Sequence, residues 1–296
     1  MIPFKSGYIA ILGPPNVGKS TLLNSILGEK ISIVSEKPQT TRQKFLGICH
    51  LKDAQLLFLD TPGLHTPHKR LNECMMEEAK SAIGDADLIY YMAEPKKPSE
   101  MDLSFLKEIE NQKKTYFILI NKVDRVAKLE LLPLLSLWQE KSKAREYFLL
   151  CAKSGDGVSD LIQKSLPYLP EGPAYYSEEE LTNRDMRYLA SEIIREKLFS
   201  LTHEEIPYSI AVVIDEYIEN AKPNLDKISA TIYVEKESQK PIVIGKGGSL
   251  LKEVGKQARA EIEKLSQKKV FLTLFVKVVK DWTKSDFRLQ ELGYKF

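Results

Sequence analysis

The sequence predicts an α/β class chain in two parts: a mostly parallel, doubly wound sheet domain followed by a smaller α+β unit. Three observations carry that prediction. Short, wholly apolar runs alternate with amphipathic stretches over the first 170 or so residues. A complete glycine-rich phosphate loop follows the first run directly. After a stretch rich in Pro and acid, 167–182, the rhythm changes to helix, strand, strand, glycine turn, helix, strand.

The apolar runs are YIAIL (8–12), AQLLFL (54–59), DLIYYM (87–92), YFILI (116–120) and EYFLL (146–150). They are too short for capped helices and too uniformly apolar for strands with one wet face, which is how strands buried on both faces read. Amphipathic helices are expected at 20–27, 101–110, 127–141 and 158–166. Such alternation argues for parallel strands with crossover helices. The expected domains are 1–170 and 183–296, with 171–182 as a linker. In the second, a helix at 183–200 precedes strands at 208–217 and 228–235. A glycine turn at 245–248, a helix at 249–265, a strand at 270–279 and a short terminal helix complete it.

Composition narrows the classes. Of the 296 residues, 43% are hydrophobic and 28% charged, which fits a globular chain and excludes collagen-like and disordered readings. Cys49, Cys74 and Cys151 are odd in number and widely spaced, with no CxxC pair, so a zinc site is not expected. Such cysteine usage suits a reducing compartment. The N-terminal stretch lacks the pattern of a signal peptide, and no apolar run approaches the roughly 18 residues a spanning helix needs.

The chemistry begins at the end of the first run. Gly13-Pro14-Pro15-Asn16-Val17-Gly18-Lys19-Ser20, followed by Thr21, matches GxxxxGK[ST] in its required strand–loop–helix setting. The backbone N–H groups and the helix N-terminus present positive charge to phosphate. Lys19 is placed to reach the β- and γ-phosphates, and the Ser20 hydroxyl to ligate Mg²⁺. The run AQLLFL ends in Asp60-Thr61-Pro62-Gly63. An acid at that tip would hold Mg²⁺ through water, and the Gly63 N–H could contact a γ-phosphate.

The base is decided by Asn121-Lys122-Val123-Asp124, which ends the run YFILI. The Asp124 carboxylate can accept from N1–H and the exocyclic amine of guanine, whereas adenine would leave it unsatisfied at a cost of about 1–3 kcal/mol. Asn121 is expected to tie this loop to the phosphate loop, and the Lys122 stem to cover the base. Cys151-Ala152-Lys153-Ser154-Gly155 forms a further loop, whose Ala152 N–H is expected to meet the guanine O6. Leu64 follows Gly63 where some GTPases carry a Gln that orients the attacking water; leucine cannot do this, so slow or assisted hydrolysis is expected.

These motifs in this order, with PQTTR at 38–42, resemble the translation-factor-related GTPases over about 145 residues. The resemblance implies a GTPase in which Thr41 joins Mg²⁺ only with GTP bound, so that Lys19, Thr41 and Gly63 serve catalysis. Ser20, Thr41 and Asp60 become the Mg²⁺ set. Two readings of Asn16 stay open: it shapes the turn, or, as in related GTPases, it helps hold a potassium ion against the phosphates. Cys151 departs from the family's usual Ser.

In the second part, Ile244 leads into Gly245-Lys246-Gly247-Gly248 and a helix bearing Lys252 and Lys256. GxxG at such a turn is the clamp of a KH domain, where small residues let single-stranded RNA approach the backbone. Residues 240–284 hold 11 basic and 4 acidic side chains, which marks a polyanion-binding side on a chain of formal net charge +2.

The element order looks like the type II KH arrangement. A GTPase of this kind joined to such a KH domain resembles the bacterial Era family along nearly the whole chain. The resemblance implies a monomeric, cytoplasmic GTPase, partly associated with the inner face of the plasma membrane. It would bind GTP and GDP and the 3′ end of 16S ribosomal RNA, and assist 30S subunit assembly. The alternative is a regulatory GTPase acting on protein or membrane partners, with the KH fold as an interaction module. A nucleotide kinase or ATPase is disfavoured by NKVD.

Overall fold

The computed structural model describes residues 3–35, 37–64 and 69–294. The chain divides into two compact units, Met1–Thr66 with Cys74–Asn183, and Pro67–Glu73 with Arg184–Phe296.

The first unit runs β1 (Lys5–Leu12), α1 (Lys19–Leu27), β2 (Phe45–Leu51), β3 (Ala54–Asp60), α2 (Arg70–Asp85, of which the part from Cys74 on belongs to this unit), β4 (Leu88–Ala93) and α3 (Glu100–Asn111). It continues through β5 (Tyr116–Asn121), α4 (Lys128–Lys141), β6 (Glu146–Leu150) and α5 (Val158–Ser165). The sheet order is β2-β3-β1-β4-β5-β6. All pairs are parallel except the hairpin of β2 with β3. Every residue of β3, β4 and β5 is buried, which is why those runs carry no polar alternation. The strand order reverses at β1, which lies between β3 and β4. Ligands of such sheets bind beyond the strand C-termini at that reversal.

Two elements are additional to the sequence reading, β2 and α2. β2 is an antiparallel edge strand whose His50 and Leu51 are only partly covered, so it lacks the uniform apolar signature of the others. The stretch 171–182, expected as a linker, is instead hydrogen-bonded to the first unit. Gly172 N–H donates to the Phe4 carbonyl at 3.1 Å, and Ile48 N–H to the Leu181 carbonyl at 2.9 Å. The buried Gln55 amide accepts from Tyr175 N–H (2.7 Å) and Tyr176 N–H (3.1 Å) and donates to the Tyr176 carbonyl (2.8 Å). A buried amide must be satisfied, and this segment satisfies it.

The second unit contains α6 (Met186–Leu201), β7 (Ala211–Lys222), β8 (Leu225–Val234), α7 (Gln239–Ile244), α8 (Ser249–Ser266), β9 (Lys269–Val278) and α9 (Asp286–Glu291). Its sheet order is β7-β8-β9, antiparallel then parallel. Ile194 and Leu198 of α6, Val254 and Ile262 of α8, and Ile228 and Ile232 of β8 share one apolar core. The short helix α7 is a further element the sequence reading did not place; it occupies PIVI, read there as the approach to the turn.

Candidate functional site

At the C-terminal edge of the first sheet lies a cleft of about 620 Å³, within the roughly 300–1,000 Å³ range of ligand sites. It is lined by Gly18, Lys19, Ser20, Thr41, Asn121 and Asp124, among others. The doubly wound topology therefore brings together motifs spread over more than 100 residues of the chain, from Gly18 to Asp124.

The phosphate loop is held open by its backbone. Gly18 has φ 107, and a Cβ there would stand 2.3 Å from Asn121 Nδ2, so the position excludes a side chain on both grounds. Lys19 Nζ donates to the carbonyls of Gly13 (3.0 Å) and Pro14 (2.9 Å). Burial lowers its ammonium to about 8, with the Asp60 charge opposing that shift. The result is a buried cation whose partners are two neutral carbonyls, poised for an anion.

Around Asp60 three hydroxyl oxygens converge. Ser20 Oγ donates to Asp60 Oδ2 at 2.6 Å, and lies 3.0 Å from Thr41 Oγ1. Ser32 Oγ donates to the same Oδ2 at 3.0 Å. Burial raises the Asp60 carboxyl, with Ser20 and Lys19 pulling it back. Asp60 Oδ1 is buried and has no hydrogen-bond partner among the described residues. An orphaned carboxylate oxygen beside two hydroxyls is the oxygen donor set a hard divalent cation takes, so these residues fit Mg²⁺.

Asn121 is the tie between loops. Its Nδ2 donates to the Val17 carbonyl (2.8 Å), as expected, and its Oδ1 accepts from Ala152 N–H (2.9 Å). The Ala152 N–H, expected to meet a base oxygen, is thus already given to Asn121. Cys151 is also fixed locally: its N–H donates to the Asp156 carbonyl at 3.1 Å, and its own carbonyl accepts from Gly155 N–H at 3.0 Å. Lys153 and Asp124 line the cleft. Lys122 Nζ donates to the Asn16 carbonyl (2.5 Å) and to Glu94 Oε1 (2.9 Å). Asn16 itself sits in the left-handed region at φ 61. Thr21 lies in the first turn of α1. Leu64, by contrast, belongs to the apolar core, and its N–H donates to the Gly13 carbonyl at 3.0 Å. Gly63 packs against Pro15, where an added Cβ would come within 2.8 Å of Pro15 Cα. Residues 65–68, which follow Leu64, lie outside the described residues.

Sequence reasoning missed Ser32, Asn24 and Glu94. Asn24 Oδ1 accepts from Ile31 N–H (3.1 Å) and Ser32 N–H (2.9 Å), while its Nδ2 donates to the Ser32 carbonyl (2.7 Å). It thereby places Ser32 on Asp60. No spacing signal marks this loop.

In the second unit Ile244 closes α7, and Lys246–Gly248 forms a single tight turn that starts α8. Lys246, Gly247, Lys252 and Lys256 are exposed. Lys252 and Lys256 are four residues apart on α8 and so share a face. Not all the basic residues of this region are available: Lys268 faces Asp226 at 3.8 Å, and Lys284 pairs with Asp281 at 2.7 Å.

A phosphate loop, a metal-type oxygen cluster and an NKxD loop on one sheet edge define a P-loop GTPase, here followed by a KH fold. The comparisons with known proteins agree. Residues 8–122 match the family model "50S ribosome-binding GTPase" and residues 205–283 match "KH domain". The chain is 46% identical to GTPase Era of Syntrophus aciditrophicus, over 99% of this chain and 96% of that protein. It is likewise 46% identical to GTPase Era of Geobacter metallireducens, over 99% and 98%. Among solved structures, it is similar to Era in complex with MgGDPNP and nucleotides 1506–1542 of 16S ribosomal RNA. That match has TM-score 0.95 and 40% identity and covers 99% of this chain and 100% of that one. The chain belongs to the GTPase Era family, and it is a GTPase.

Proposed function

We propose that this GTPase, loaded with GTP, binds the 3′ end of 16S ribosomal RNA through its KH unit and assists 30S subunit assembly, hydrolysis resetting it. The observation that carries the proposal is the Gly245–Gly248 turn, exposed at Lys246 and Gly247, heading a helix with Lys252 and Lys256 on one face. The solved relative that binds nucleotides 1506–1542 of 16S ribosomal RNA supports it. In this reading the turn backbone lets four nucleotides pass closely, and the lysines neutralise phosphates. Ile244, Gly245, Lys246, Gly247, Gly248, Lys252 and Lys256 form the contact set.

In the first unit, the loop Gly13–Thr21 cradles the phosphates and Lys19 neutralises the β- and γ-phosphates. Ser20, Thr41 and Asp60 would hold Mg²⁺, which would supply stabilisation of the negative charge that develops on the phosphates. Gly63 N–H senses the γ-phosphate. Asp124 recognises guanine, and the Lys122 stem covers the ring. With Leu64 in the core, no side chain directly after Gly63 orients the water, so basal hydrolysis is slow. Asn16 holds a potassium ion in this reading; equal hydrolysis rates in potassium and sodium would remove that role. The protein acts as a monomer in the cytoplasm, in part at the inner face of the plasma membrane, which cell fractionation tests.

The test of the proposal is sequencing of RNA crosslinked to the full chain loaded with a non-hydrolysable GTP analogue. Enrichment of the 16S 3′ end is expected. Crosslinks spread evenly over cellular RNA would overturn it and favour a protein- or membrane-directed regulator.

A further inference from the structure

The base loop is anchored by a residue outside every motif of the nucleotide site. Lys122 has φ 64 and ψ 35, a left-handed conformation, and it leads into the tight turn Val123–Arg125. From there its ammonium reaches two acceptors, the Asn16 carbonyl at 2.5 Å and Glu94 Oε1 at 2.9 Å. Glu94 follows directly on β4. The parallel register sets Ala93 beside Ile120, so Glu94 emerges level with the start of the base loop. Its second oxygen accepts from Lys96 Nζ at 3.1 Å.

The pair differs from an ordinary surface ion pair. The Lys122 side chain is 21% exposed and the Glu94 side chain 35%, and both line the nucleotide cleft. Burial alone would raise the Glu94 carboxyl, yet its hydrogen bonds from Lys122 and Lys96 outweigh that and hold it below the ordinary value. Without Glu94, the Lys122 ammonium keeps only one neutral carbonyl, and its four-carbon stem regains rotamer freedom. A stem can cover a flat ring only when its far end is pinned. The same ammonium also donates to the carbonyl of Asn16, a non-glycine residue held at φ 61 in the phosphate loop.

We propose that Glu94 is a positioning residue for nucleotide binding: it fixes the Lys122 ammonium so that the stem lies over the base and the Asn16 carbonyl is held in the phosphate loop. The inference rests on the reading of Lys122 as the cover of the base. It implies an effect blind to the γ-phosphate, because neither partner addresses it, and separate from the choice of base, which lies with Asp124.

The experiment follows release of fluorescent GDP and of a fluorescent, non-hydrolysable GTP analogue from the full chain. It compares the parent with Glu94→Ala, Glu94→Gln, Lys122→Ala and the double variant. Glu94→Ala is expected to speed release of both nucleotides by the same factor, about tenfold, and Glu94→Gln, which keeps an acceptor oxygen, by less. In the Lys122→Ala background, Glu94→Ala should change release by less than about twofold, because its partner is gone. Thermal unfolding without nucleotide checks that each variant folds. Parental release from Glu94→Ala, with fast release from Lys122→Ala, overturns the inference alone. An undiminished tenfold effect in the Lys122→Ala background also overturns it, because Glu94 then acts by another route. Parental release from Lys122→Ala overturns the base-cover reading and the inference with it.

Discussion

Replacing Asn121 by Ala should cost this protein more than any other single change in the nucleotide site outside the phosphate loop. Asn121 is 2% exposed. Its amide joins two loops, through 2.8 Å to the Val17 carbonyl and 2.9 Å from Ala152 N–H. Alanine removes both bonds at once and leaves one buried carbonyl and one buried N–H without partners. Each orphan costs about 1–3 kcal/mol, so the variant should lose about 2–6 kcal/mol from the first unit. The same loss loosens the phosphate loop at Val17 and the loop at Ala152. GDP affinity should therefore fall by about 30-fold or more, the equivalent of about 2 kcal/mol. Asn121→Asp is expected to do no better. It keeps an acceptor for Ala152 N–H but sets a second oxygen against the Val17 carbonyl. The assay is urea unfolding of the full chain by circular dichroism without nucleotide, paired with a fluorescent GDP titration. A loss below about 0.5 kcal/mol together with GDP affinity within about threefold of the parent would refute the reasoning, since orphaned buried groups cannot be that cheap.

Further outcomes follow from other residues. Asp124→Asn should weaken GTP binding and favour xanthosine triphosphate, whose 2-oxo group accepts where guanine donates; a competition titration reads this, and retained GTP preference removes Asp124 from base recognition. Burial pushes the Cys49 thiol up to about 11. The native chain at pH 8 should then hold only about one part in a thousand of Cys49 as thiolate, and its alkylation by iodoacetamide should be far slower than that of an unfolded peptide. Equal labelling rates, read by mass spectrometry, would contradict that burial. Ser32→Ala should weaken Mg²⁺-dependent GDP retention, because one hydroxyl leaves Asp60 Oδ2; release rates that respond to chelator as the parent's do would exclude the role.

How much of this was legible in the sequence depends on whether a contact is local or topological. The phosphate loop is local: its glycines, lysine and serine are adjacent in the chain, and a strand and a helix flank them. Its role could be read directly, and so could that of Asn121 as the tie to it. Glu94 and Ser32 could not. Glu94 meets Lys122 only because β4 and β5 pair in parallel register, and Ser32 meets Asp60 only because Asn24 folds its loop back. The bond from Ala152 N–H to Asn121 Oδ1 was not legible for a related reason: the two are neighbours across the sheet edge and not in the chain. The stretch 171–182 read as a linker because Pro and acid dominate it, while the buried Gln55 that binds it lies 120 residues earlier. β2 escaped notice because an edge strand needs only one apolar face.

The central claim is that the KH turn is where this GTPase holds ribosomal RNA. The direct measurement is the affinity of the GTP-analogue-loaded chain for an RNA carrying the 3′ end of 16S ribosomal RNA, for the parent and for Lys246→Asp with Gly247→Asp, across salt concentrations. Gly247 lies at φ 58 with open space around it, so a side chain fits there but strains the backbone. Lys246→Ala alone therefore accompanies the double variant, with GDP affinity and thermal unfolding followed in parallel. The account predicts a steep loss for the double variant, a smaller loss for Lys246→Ala, and a shallower salt dependence in both, because one phosphate contact is gone. RNA affinity and salt slope equal to the parent's in a folded Lys246→Ala and in the double variant would contradict it.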